Sequence, residues 1–373
     1  MVTEPAESIL IDTLTQLSSA LAWILTLFTA LNVKQLLPCD DSALISERVD
    51  ILIPARNEAE VIEKCIRAAL GQNSLSHFRV VVLNDASTDN TSEVLLAIDD
   101  SRLTIINSTE EPPAGWLGKP WACARLAQQS DAEYLVFIDA DVALVSDAVS
   151  RAINTLITSG MHLVSPYPQQ IAHGILGRLI QPLLQWSWLT TVPLGRARTT
   201  TRPSMAIANG QFLVCRRHDY FASGGHETSK GEVLEDIHLL RAFYRAGLPG
   251  TVVDGSAIAT CTMYDSDQQL MDGYAKSLWK AFGGLMGTLL TCASLAFVYT
   301  LPIFALFTNS WLPAISALSA GIVGRSIVAQ RTKQRMLPDV FLHSVSILAF
   351  VWLNSLSWWR HLRHANHWKG RTL

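Results

Sequence analysis

Two carboxylates one residue apart, Asp139 and Asp141, close an apolar run that begins at Tyr134 (Tyr134-Leu-Val-Phe-Ile-Asp-Ala-Asp-Val142). Neighbouring acids that both stay ionised need a positive partner, and a divalent cation shared with a diphosphate is an efficient one. Taken alone, Asp-x-Asp is more simply a strand followed by a capped turn, so the chemistry depends on what else reaches the same place. The run reads as a buried central strand. Its carboxyl end, where both acids arrive, is where open α/β sheets bind ligands.

The elements that must position these acids follow from the flanking pattern. Val49–Ile53 reads as a strand stopped by Pro54, and a helix is expected from about Ala59 to Leu70. The strand Phe78–Leu83 ends in Asn84-Asp85-Ala-Ser-Thr-Asp89-Asn-Thr91, where Asp85 can accept from a base or ribose or serve as a turn residue. Asp89 or Thr91 can cap the next helix. The stretch from Glu111 to Arg125 is a loop with Gly115 and Gly118 that returns to helix over Ala122–Gln129. Lys119, just ahead of that helix, suits a nucleotide or its phosphates unless it is merely solvated. A helix over Ser146–Leu156 and a strand from His162 come next, then a strand introduced by Asn209-Gly210-Gln211. The turn Gly224-Gly225-His226 is flexible enough to let an acceptor approach the backbone, with His226 either orienting a hydroxyl or, by preference, exposed. Glu235 and Asp236 open a helix, where the dipole also favours acids.

Ile53-Pro-Ala-Arg-Asn-Glu58, Leu83-Asn-Asp-Ala-Ser-Thr-Asp-Asn-Thr91 and Asp139-Ala-Asp141 together resemble the nucleotide-sugar half of the inverting glycosyltransferases of family two. The resemblance implies an α/β fold of the GT-A nucleotide-diphospho-sugar transferase type, a Rossmann-like mixed sheet with helices on both faces. It also implies a nucleotide-sugar donor, a UDP-sugar first, on Pro54, Arg56, Glu58, Asp85, Lys119, Asp139 and Asp141. A divalent metal, Mg or Mn, would sit on Asp141 and Asp139. Gly115-Trp-Leu-Gly-Lys-Pro-Trp-Ala122 is similar to a segment of membrane glycosyltransferases acting on carotenoids, hopanoids and related lipids. In the family an acid pair after Gly-Gly supplies the general base, a role that falls on Asp236 with Glu235 beside it.

Such a base would take the proton of a lipid hydroxyl as it attacks the anomeric carbon, and one displacement inverts the configuration. Asn209, Gly210, Gln211, Gly225, His226 and Trp279 are expected on the acceptor side. Processive relatives carry Gln-x-x-Arg-Trp near the last of these, whereas this chain has Lys276-Ser-Leu-Trp279. The departure argues for transfer of one sugar and against a polysaccharide synthase. A sphingolipid or glycerolipid acceptor, and a membrane scaffold that keeps the fold without the activity, are the remaining readings.

Composition sets the surroundings. Hydrophobic residues make up 49% of the 373 and charged residues 16%, with mean hydropathy +0.24, too apolar for an ordinary soluble enzyme. A net charge of −3 offers no basic field for nucleic acid. The six cysteines stand singly, without zinc or disulfide spacing, as reduced thiols on a cytoplasmic face would. Leu17–Val33 reads as an uncleaved anchor, with Lys34 and Arg48 behind it placing the next domain in the cytoplasm. Beyond Val253 the chain is expected to turn toward the membrane. Tyr274–Phe282 mixes aromatic and basic residues as interfacial helices do, and Leu285–Phe307, Trp311–Val328 and Val340–Leu356 are apolar. Arg325 interrupts the second and the third is short; three crossings would put the basic tail outside, so one segment is expected to be re-entrant or interfacial. The organisation expected is an anchor (1–40), a catalytic domain (45–270), an interfacial helix (271–284), membrane helices (285–358) and a basic interfacial tail (359–373). In that tail His361, His364 and His367 recur every third residue, a spacing open to metal, although a basic interfacial helix is the preferred reading. An integral protein of the plasma or inner membrane follows, with oligomeric state open.

Overall fold

A computed structural model describes residues 6–363, 367–368 and 371–372, with side chains from 7 to 363. The chain divides into two compact units, one of Leu36–Ile171 and Pro193–Met263, the other of Met1–Gln35, Ala172–Val192 and Tyr264–Leu373.

The first unit is built on a sheet of eight strands. These are β1 (Ile45–Ala55), β2 (Leu75–Asp85), β3 (Leu103–Ser108), β4 (Tyr134–Ile138), β5 (Val142–Leu144), β6 (Leu163–Gln170), β7 (Phe212–Arg216) and β8 (Gly250–Cys261), in the order β3-β2-β1-β4-β7-β6-β8-β5. Strands β1 to β4 pair in parallel, while β7 runs antiparallel between β4 and β6 and β5 antiparallel to β8. The strand period of two sends alternate side chains to opposite faces. Ile51, Ile53, Val80 and Val82 meet Ile62 and Ile66 of the helix Ile62–Leu70 and Ile153 of the helix Ala148–Ser159. On the other face Leu52, Val81 and Leu83 meet Leu126 of Gly118–Gln128 and Leu239 and Phe243 of Glu235–Arg245. Helices therefore cover both faces, as the expected fold class requires. Asp50, 3% exposed in the sheet, is held by a two-pronged pair with Arg79 at 2.8 Å from Nε and from Nη2.

Three features differ from expectation. Pro54 does not stop β1, which continues to Ala55. Pairing with β4 ends at Leu52, so at Pro54 the strand has one partner only and the missing N–H is tolerated. Strand β3 is an addition to the expected elements, being short, half-exposed and at the sheet edge. Nor does the chain leave the sheet at Val253, because β8 runs on to Cys261 between β6 and β5. Its small residues disguise it, and Gly255 is there because a Cβ would stand 2.9 Å from Pro166.

The second unit is helical. Among the described residues four helices are long and apolar enough to cross a membrane: Glu7–Gln35, Leu285–Ala305, Trp311–Arg331 and Asp339–Leu362. The first packs on the third through small and hydroxyl residues, with Thr26 Oγ1 donating to Ala320 O at 2.8 Å and Ser19 Oγ to Ser316 Oγ at 2.9 Å. The helix Gly174–Thr191 also belongs here. Its Trp186 is buried, edge-on to Tyr299 at 5.4 Å and His343 at 4.7 Å, and so packs in the core of this unit. Residues 271–284 form the end of one short helix, Asp267–Ala275, and another, Leu278–Ala281. Of the tail histidines, His361 stacks on Trp279 at 3.6 Å, and the side chains of His364 and His367 lie outside the described residues.

Candidate active site

Loops at the carboxyl ends of β1 and β2 are laced together. Asn57 takes a left-handed conformation, φ 54°, and its Oδ1 accepts from Thr88 N at 2.8 Å. Glu58 N donates to Thr91 Oγ1 at 2.9 Å, and Ala59 N to Asp89 Oδ2 at 3.2 Å. Arg56 Nη1 donates to the backbone O of Asp85 at 2.8 Å. The result is a cradle that fixes Pro54, Arg56, Glu58 and the buried Asp85 at the strand ends. Asn57 is a site residue that the motifs alone do not single out, although an Asn between charged residues in a strand-end loop is the residue type that accepts φ > 0.

A second group draws four distant segments into one place. Lys119, in the first turn of its helix rather than ahead of it, puts Nζ 2.7 Å from Asp139 Oδ1, 2.8 Å from Asp139 Oδ2 and 2.9 Å from Glu235 Oε1. The ammonium therefore faces carboxylates and not the helix N–H groups. Burial works against its charge, but Asp139 and then Glu235 outweigh that and hold its pKa well above the usual lysine range. Glu235 is likewise penalised by burial, and Lys119 brings it below the ordinary carboxylate range. Asp236 has no such partner. Burial and then the Glu235 charge push it up to about 7, against smaller opposing pulls from Lys119 and two backbone N–H groups.

Gly210 is the pivot of this arrangement. Its N–H donates to Asp236 Oδ2 at 2.8 Å, and Ile237 N donates to Oδ1 at 2.8 Å. A Cβ on residue 210 would stand 3.0 Å from Glu235 Oε1 and 3.1 Å from Lys119 Nζ. Its neighbours are knitted to the sheet: Asn209 N donates to Ser165 Oγ at 2.8 Å, Gln211 N to Asn209 Oδ1 at 2.8 Å, and Gln170 Nε2 to Gln211 Oε1 at 2.8 Å. Asp139 N donates in turn to Gln211 O at 3.0 Å, tying the acid turn to this loop. Asp141 lies beside the Cys261 thiol, which is hydrogen-bonded to it.

Two expectations change. His226 is not exposed: it is 2% accessible, its Nδ1 is 2.9 Å from Tyr220 Oη, and its ring is edge-on to Phe137 at 5.1 Å. Burial lowers its pKa to about 4, so it is neutral near pH 7. Gly225 leaves no room beside its backbone, because a Cβ there would meet the Tyr220 ring at 2.5 Å. Tyr220 thus occupies the space read as open to an acceptor. Trp279 belongs to the helical unit, with its Nε1 donating to Lys276 O at 3.0 Å.

Among the described residues no group of three or more His, Cys, Asp or Glu is placed to hold a metal ion. Mg²⁺ commonly takes only one or two protein carboxylates, with phosphates and water as its remaining ligands. Asp139 and Asp141 at one strand end fit that minimal demand. With Lys119 on both oxygens of Asp139, Asp141 is the better of the two.

The Glycosyl transferase family 2 model matches residues 50–218. A 4,4'-diaponeurosporenoate glycosyltransferase of Staphylococcus aureus (strain USA300) is 27% identical over 249 residues, covering 65% of this chain and 63% of its own length. That of strain bovine RF122 is 28% identical over 242 residues, covering 63% of this chain and 61% of its own. The chain thus spans somewhat under two thirds of these relatives. Among solved structures, the mannosyltransferase PcManGT from Pyrobaculum calidifontis, in complex with GDP-Man and Mn2+, superposes with TM-score 0.54 at 17% identity, over 92% of this chain and 99% of that one. That likeness concerns the fold, a mixed sheet with helices on both faces. Residues 50–218 of this chain are thus similar to a glycosyl transferase family 2 domain.

Proposed function

We propose that this protein transfers one sugar from a nucleotide-diphosphate donor, a UDP-sugar first, to a membrane lipid of the carotenoid or hopanoid type, with inversion. The observation that carries the reading is the group Lys119, Asp139, Glu235 and Asp236, in which one acid is kept ionised by an ammonium while its neighbour is pushed up to about 7. A carboxylate near neutrality is matched to removing a hydroxyl proton, an effect typically worth about 10²–10⁴ in rate. The laced loop around Asp85 and Arg56 supports a donor site for the nucleoside.

In this reading the acceptor oxygen attacks the anomeric carbon while its proton passes to the Asp236 carboxylate. The bond from that carbon to the diphosphate oxygen breaks, and the nucleoside diphosphate leaves with the electron pair. Glu235 stays anionic beside Lys119, and Gly210 N–H orients Asp236. A divalent cation, Mg or Mn, held chiefly by Asp141 with Asp139 near, would supply charge stabilisation to the diphosphate. The four apolar helices support an integral membrane protein, and Lys34 and Arg48 after the first of them favour a cytoplasmic catalytic unit.

The name of the relatives favours one variant, an acceptor that is a carboxylate instead of a hydroxyl. A carboxylate is already ionised and needs no base. Purified protein in detergent, given a panel of nucleotide sugars and total lipid extract, tests the proposal. A mono-glycosylated lipid of inverted anomeric configuration by mass and NMR analysis supports it. Long products would indicate a processive synthase, and nucleotide binding without turnover of any donor would leave only a scaffold.

A further inference from the structure

We propose that the helical unit contains a second binding site, for an oxyanion carried by a membrane lipid, a phosphate or a carboxylate, held by Arg325. Arg325 is 1% exposed in the helix Trp311–Arg331, and neither of its Nη atoms has a hydrogen-bond partner among the described residues. Asp339 lies within its electrostatic reach, but that carboxylate is already gripped by Arg178, whose Nε is 3.1 Å from each oxygen, and faces Arg335 Nε at 3.8 Å. Three guanidinium groups therefore share one carboxylate. His343 is also within reach of Arg325 and 1% exposed, and both its ring nitrogens lack a partner among the described residues. It is fixed edge-on between Trp186 and Tyr299, at 4.7 Å from each. Gly321, one turn before Arg325, makes the approach possible, since a Cβ there would stand 2.9 Å from the His343 ring.

A buried guanidinium with unused donors is among the most costly states a side chain can hold. Water could satisfy the N–H groups but would leave the charge without a counter-ion. The fork of donors matches the paired oxygens of a phosphate or carboxylate. A lipid is the fitting carrier, because Arg325 lies in one of the four helices apolar enough to cross a membrane. It stands before the Arg331 end of its helix by about 9 Å at 1.5 Å rise per residue, less than two turns from that end. Ionisable residues inside such helices are rare and costly, and mark functional sites by default.

The inference is independent of the transfer reaction, and its test needs no donor. Delipidated full-length protein in a neutral detergent is titrated with short-chain phosphatidylglycerol, phosphatidylcholine and inorganic phosphate, following Tm and native mass spectra. Wild type should bind phosphatidylglycerol saturably with a rise in Tm, and phosphatidylcholine should give none. Arg325→Met should weaken binding at least tenfold, Arg325→Lys less, and the exposed Arg335→Gln about twofold. If Arg325→Met does not fold, Arg325→Lys and the wild-type titrations decide. No saturable anionic-lipid binding by wild type, or Arg325 variants with unchanged affinity, would overturn the site. Saturation by inorganic phosphate as readily as by the lipid would overturn the lipid carrier.

Discussion

The backbone N–H of Gly210 donates to the Asp236 carboxylate at 2.8 Å, and residue 210 has no Cβ to crowd Glu235 and Lys119 beside it. Space, not backbone conformation, calls for glycine here. Gly210→Ala should displace the ion-paired ends by a few tenths of an ångström. We expect kcat to fall about tenfold, since small misplacements of reacting groups are costly, with the circular dichroism spectrum retained. An alanine variant of full activity would show that Asp236 does not depend on this contact.

The Asp236 pKa, pushed up to about 7 by burial and by Glu235, makes the rate pH-dependent. The ionised form is the base, so kcat/KM should rise with pH through about 7 and then level. Glu235→Gln removes the neighbouring negative charge and should move this limb to lower pH. Lys119→Met removes an opposing positive charge and should move it higher. A limb that stays in place in both variants would detach the base from this group. A flat profile in the wild type would instead favour the carboxylate acceptor.

Lys119→Met also leaves the oxygens of Asp139 without their ammonium, 2.7 and 2.8 Å away in the wild type. Transfer should fall more than about 100-fold, about 3 kcal/mol, by the loss of the charge that fixes Asp139 and Glu235 in place. Donor-free Mn²⁺ binding, followed by electron paramagnetic resonance, should tighten as Asp139 is released. Weaker Mn²⁺ binding in the variant would mean that Lys119 assists the metal rather than competing with it.

Gly225→Ala should act on folding. Its φ of 55° is left-handed, and the Tyr220 ring lies 2.5 Å from where a Cβ would stand, so there is no room for one. A cost of about 1–3 kcal/mol is expected, read as a drop in Tm. The acceptor KM of whatever folds should be unchanged. A raised KM at unchanged Tm would restore Gly225 to the acceptor side.

What can be read in the sequence is whatever local pattern dictates. The apolar run to Asp139 and Asp141, the strand ending at Asp85 and the helix opened by Glu235 and Asp236 all lie where periodicity and strand ends put them. The relations between them are not legible there, because they depend on which segments meet. Nothing near Lys119 in the chain announces that its ammonium bridges Asp139 and Glu235, and nothing near Gly210 announces its fit beneath them. His226 misleads because a histidine after two glycines looks like a turn tip, whereas Tyr220 and Phe137 close over it. Strand β8 escapes notice because its small residues answer to Pro166 across the sheet, a contact that no window of sequence contains.

The most direct test of a base at Asp236 compares Asp236→Asn with wild type in the transfer assay, with donor binding measured by calorimetry on the same preparations. The substitution keeps the shape and removes the base. Glycosylated lipid formation should fall by about 10²–10⁴-fold while donor affinity changes little. Transfer by Asp236→Asn at near wild-type rate, with donor bound normally, would contradict the assignment.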